Sequence, residues 1–187
     1  ARIQAVRSVH LKLLREVFAL LGSNQLKKDV AQLSDALKQP GLKLGVKKVY
    51  AEAFGGLRDG LQQAQRLADE VRDMLINSFR SLNAEFGFSL QLPEKLNLLR
   101  YEQELSMIES NHMQYLGLTN VLRLREPEFA DRLAKAVMSR LKSVYETISN
   151  EVELWNKSAA SQLDSQMRER RQNFQRRIEA VQRIQTA

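Results

Sequence analysis

Glu109 and His112 stand three residues apart in Glu109-Ser110-Asn111-His112. This is the i,i+3 spacing with which a helix offers a carboxylate and an imidazole to one ion of a di-iron centre. Glu102 lies two turns upstream on nearly the same face. Such a centre needs a second Glu-x-x-His, however, and the other histidine, His10, has Arg7 at that position. An interfacial histidine is the better reading of His112. The acid pairs Glu102/Glu104 and Glu151/Glu153 diverge by about 200° around a helix, so neither closes on a substrate as an acid–base couple. Gly41 and Gly45, followed by Val46-Lys47-Lys48, lack the spacing and the hydroxyl of a phosphate-binding loop. With 2 histidines and no cysteine, the expectation is no enzyme, no catalytic residue, no metal ligand and no cofactor in this segment.

Two basic groups carry other chemistry. Leu42, Lys43, Leu44, Lys47, Lys48, Tyr50 and Phe54 mix lysines with large apolar side chains, the composition of a contact with an anionic membrane surface or an acidic partner. The alternative for the same residues is a buried helix start with its lysines turned outward. Arg168-Glu169-Arg170-Arg171 and Arg176-Arg177 could meet RNA phosphates, yet only Phe174 lies between them as an aromatic. Stacking recognition is poorly served, and nucleic acid is disfavoured as a partner.

The elements that must position these residues are helices. Ile3, Val6, Val9/His10, Leu13/Leu14, Phe18 and Leu21 recur at three- and four-residue steps, predicting a helix over 1–21 that Gly22-Ser23-Asn24 ends. A second helix is expected over 24–38, before Pro40-Gly41. A third runs over 45–86, with a bend or a close helix contact expected near Gly55, Gly56 and Gly60. Residues 87–93 alternate apolar and polar side chains and end in Pro93, an extended connector and the one place for a short strand. A fourth helix is expected over 94–116, and a fifth over 127–185, where Pro127 suits a first helical position.

The fifth helix dominates, with about 90 Å of potential length at 1.5 Å per residue. From Leu141 through Val144, Ile148, Val152, Trp155 and Ala159 to Leu163 its apolar steps run 3, 4, 4, 3, 4, 4. That eleven-residue rhythm implies a nearly straight or slightly right-handed helix. Beyond Trp155 the stripe thins to one position per turn, bordered by arginines, which resembles a coiled-coil seam more than a core face. Trp155, Leu163, Met167, Phe174, Ile178 and Val181 are therefore the candidate self-association residues.

Composition agrees with a folded helical chain. The 187 residues are 43% hydrophobic and 27% charged, with 3 prolines and 8 glycines, which excludes a disordered or collagen-like chain. The missing cysteines exclude a disulfide framework, a thiolate nucleophile and a cysteine-bound cluster, and favour the cytoplasm. No stretch approaches a membrane span, so membrane association would be peripheral. The net charge of +7 is uneven: residues 1–50 hold ten Lys or Arg against three acids, and the remainder nineteen of each. Neither end carries a helix stop, and the first residue is Ala1, so the expectation is one stalk-like domain over 1–187 cut from a longer chain.

Pro40-Gly41-Leu42-Lys43-Leu44-Gly45, Phe86-Gly87-Phe88-Ser89-Leu90-Gln91-Leu92-Pro93, Gln114-Tyr115-Leu116-Gly117, Glu153-Leu154-Trp155-Asn156-Lys157, Gln162-Leu163-Asp164 and Arg168-Glu169-Arg170-Arg171 together resemble the C-terminal helical region of bacterial dynamin-like GTPases. The resemblance covers nearly the whole chain. It implies a helical stalk that follows a GTPase domain, self-assembles as a homo-oligomer and, in several members, takes part in membrane remodelling. The family's phosphate loop and switch motifs have no counterpart here, so no catalytic residue carries over. The expected fold is all-α, an elongated bundle of four to five helices with one very long C-terminal helix. A peripheral membrane module and a nucleic-acid-associated helical protein are the rival readings.

Overall fold

A computed structural model describes residues 2–22, 28, 31–33, 35, 45–117 and 126–185. The chain is all-α. Its described elements are α1 (Arg2–Leu21), α2 (Val46–Phe86), a 3-10 turn (Leu99–Tyr101), α3 (Glu102–Tyr115) and the long C-terminal α4 (Pro127–Gln185). No strand occurs among the described residues. The helix expected over 24–38 lies largely outside them; Leu33, which is described, is helical and buried.

Contacts group the chain into two compact units, Ala1–Val71 with Leu96–Glu151, and Arg72–Lys95 with Val152–Ala187. Both long helices pass from one to the other. In the first unit α2 buries Tyr50, Phe54, Leu57, Leu61, Ala64, Ala68 and Val71, alternating four- and three-residue steps that keep one face inward. α1 buries His10, Leu14, Val17 and Leu21, α3 buries Leu105, Ile108 and His112, and α4 buries Leu133, Val137, Leu141 and Ile148. Within this unit Arg58 pairs with Glu109 at 2.6 Å, and Glu151 accepts from both Arg100 and the Tyr101 hydroxyl at 2.6 Å.

The second unit is built around the stretch after α2. Gly87 adopts φ +62 and donates its N–H to the Asn83 carbonyl at 2.9 Å, a left-handed helix stop that glycine adopts without Cβ strain. Asn83 then clamps Leu90 through its side-chain amide, accepting the backbone N–H and donating to the carbonyl, both at 2.9 Å. Gln162 and Gln166, one turn apart on α4, accept the N–H groups of Gln91 and Ser89 at 2.9 and 3.4 Å. Arg72 donates to the Pro93 carbonyl at 3.1 Å, and Trp155 Nε1 to the Glu94 carbonyl at 2.9 Å. In the first unit the buried Gln65 repeats the amide clamp, donating to Leu96 O at 2.9 Å and accepting Leu98 N–H at 2.6 Å.

Two sequence expectations are corrected. The helix expected from 94 begins only with the 3-10 turn at Leu99, because side chains engage the backbone polar groups of 93, 94, 96 and 98 and hold that stretch extended. Of the bend or close contact expected at Gly55, Gly56 and Gly60, the close contact is absent among the described residues: a Cβ built on any of them meets nothing within 4 Å, and α2 continues as one helix through them.

Candidate assembly surface

On α4 the apolar stripe passes from covered to bare. Val152, Ala159 and Leu163 are buried in the second unit, and Trp155 and Met167 are half-buried. From Arg168 to Ile184 every residue is exposed, although the apolar positions continue at helical spacing. Phe174 is 65% exposed, Ile178 42%, Val181 53% and Ile184 77%, so these large side chains are left uncovered among the described residues of the second unit. Of the candidate self-association residues, Phe174, Ile178 and Val181 thus form one open seam. Leu163 is corrected to a core residue, and Trp155 to an anchor for the connector, its indole N–H being spent on Glu94.

Arginines border the seam. At about 100° per residue, Arg170, Arg171 and Arg177 fall within about 60° of its midline, whereas Glu169 and Glu179 lie about 140° away. Arg170 is partly engaged, its guanidinium 4.5 Å from the centre of the Phe88 ring. The stretch from Arg168 to Ile184 therefore offers a narrow apolar line between cations, with its two acids, Glu169 and Glu179, turned aside.

The candidate membrane contact divides differently. Leu42, Lys43 and Leu44 lie outside the described residues. Lys47 and Lys48 are exposed, and Lys48 sits 3.8 Å from Glu52. Tyr50 and Phe54 are corrected: both are 0% exposed and stack at 6.2 Å between ring centres, so they belong to the core. Burial holds the Tyr50 phenol neutral, its pKa pushed up to about 12. Among the described residues of that surface, Lys47 and Lys48 alone are exposed, as expected of a helix start with its lysines turned outward.

Glu109 and His112 lie on α3 with different surroundings. Glu109 points its carboxylate to Arg58, and Glu102 accepts from Gln62 at 3.0 Å. His112 is buried, and no group of three His, Cys, Asp or Glu side chains converges among the described residues. Sequence patterning missed the clamps Gln65, Asn83, Gln162 and Gln166. The signal was present in one of them: Gln65 sits in phase with the buried Leu61 and Ala68 of α2, where an amide needs a partner. Comparison with known proteins returns no match to a family model, to a curated protein or to a solved structure.

Proposed function

We propose that this chain is the helical assembly stalk of a dynamin-like GTPase, self-associating through the distal part of α4 and transmitting GTPase-domain motion along its long helices. The observation that carries this reading is the bare seam of Phe174, Ile178 and Val181 on a helix whose preceding turns are buried. Covering one large apolar side chain is worth about 1.5–3 kcal/mol, so a helix that leaves three in line on its surface gains most by meeting another helix. The seam is one residue wide per turn, which suits a helical partner better than the broad apolar face of a membrane-surface helix. α2 and α4, of 41 and 59 residues, supply the long helices that such a stalk uses.

Light scattering over a concentration series tests it. The wild-type mass rises above 21.5 kDa with concentration, while Phe174→Ser combined with Ile178→Ser stays monomeric with unchanged thermal unfolding, because both side chains are exposed in the monomer. A wild type that remains monomeric at every concentration overturns the assembly reading.

A further inference from the structure

α3 and the start of α4 enclose an open groove of about 710 Å³ within the first unit. Arg132, Ala136 and Arg140 occupy i, i+4 and i+8 on its α4 wall, two guanidinium arms about 12 Å apart at their roots with a small residue between them. Both arginines are exposed, and Arg132 Nε donates to a backbone carbonyl of its own helix, Glu128 O, at 3.3 Å. No acid appears in the lining among the described residues. Opposite, α3 supplies His112, 5% exposed, whose Nδ1 is buried without a hydrogen-bond partner among the described residues. Buried polar atoms are ordinarily satisfied, so an orphaned imidazole nitrogen beside a groove needs explaining. Leu133 and Tyr115 add an apolar wall.

From this juxtaposition we infer that the groove binds an organic phosphate, its anion held between Arg132 and Arg140 over Ala136 and its apolar substituent lying against Leu133 and Tyr115. Guanidinium groups match phosphate oxygens in pairs, and Ala136 leaves room for the tetrahedral group where a larger side chain would fill the gap. The charge state of His112 fits this role: burial, and then the Arg140 cation, hold it neutral, and an anion placed beside Arg140 offsets the second of these.

Phenyl phosphate is the probe, titrated into the intact chain by calorimetry with His112 followed by NMR. Saturable binding is expected, with a rise in the His112 pKa, and Arg132→Gln or Arg140→Gln each weakens it about tenfold or more. Lys142→Gln, on the same helix but outside the lining, leaves it unchanged. Inorganic phosphate binds more weakly, lacking the ring. Flotation with phosphatidylcholine vesicles, with and without phosphatidic acid, separates the two sources of such a group. Binding of phenyl phosphate without flotation marks a diffusible ligand, whereas flotation that needs phosphatidic acid and both arginines marks a lipid headgroup. Neither phenyl phosphate binding nor arginine-dependent flotation, or binding that both Arg→Gln changes leave intact, overturns the inference.

Discussion

His10 and His112 are buried imidazoles, and among the described residues His10 Nε2 and His112 Nδ1 have no hydrogen-bond partner. Burial lowers both pKa values from the ordinary 6.5, and Arg140 lowers that of His112 further. In the unfolded chain both protonate near 6.5. Between that pH and the lower folded values the unfolded state binds more protons, so stability is full above 6.5 and falls as the pH drops below it. Thermal unfolding should therefore shift to lower temperature between about pH 6.5 and 5, before the carboxylates titrate. His10→Leu with His112→Leu should flatten that stretch of the profile; an equally steep profile in the double variant would assign the pH response elsewhere. The same scale explains the clamps. An amide such as Gln65 or Asn83 sets an N–H donor beside a carbonyl acceptor in the spacing a peptide presents, so it holds an extended backbone among the described residues where no strand occurs.

At the scale of elements, glycine acts in two opposite ways on one helix. Gly56 and Gly60 sit inside α2, and a Cβ on either would meet nothing within 4 Å among the described residues. Gly56→Ala and Gly60→Ala should each stabilise the chain by about 0.5–1 kcal/mol, by restricting the unfolded state and favouring the helix. Gly87 stands at φ +62, and an added Cβ would meet Arg170 Nη2 at 3.3 Å. Gly87→Ala should therefore cost about 1 kcal/mol or more, through left-handed strain at the stop of α2. Urea unfolding midpoints, compared at constant slope, read both signs. Equal and opposite shifts are not required, but a destabilising Gly56→Ala would mean that the space beside it is occupied in solution.

For the whole molecule the charge pattern decides what kind of association to expect. Arg170, Arg171 and Arg177 border the seam, so two identical tails brought side by side place cations near cations. Self-association through this seam is apolar in origin and opposed by charge, and it should strengthen as salt rises from about 0.05 to 0.5 M, where the screening length shrinks to a few ångströms. Binding of the same tail to an acidic helix, an anionic vesicle or RNA should weaken over that range. Sedimentation velocity at several salt concentrations gives the sign directly. Association that weakens with salt would assign the contact between copies to opposite charges elsewhere on the chain and not to this seam.

The apolar rhythm by itself determined the helices: their number among the described elements, the length of α4 and the face each turns inward follow from local spacing, because a 3.6-residue period leaves one stripe to bury. It also marked where the stripe narrows after Trp155. It misplaced the start of α3, since residues 94–98 are good helix formers whose backbone groups are claimed by side chains distant in sequence. It left Tyr50 and Phe54 open between core and surface, because a helix start reads the same whether its apolar side is covered or not. Which carboxylate meets which cation, which amide holds which peptide, and the meeting of Arg132, Arg140 and His112 around one groove depend on residues far apart along the chain. Such pairings are non-local, and only tertiary structure decides them.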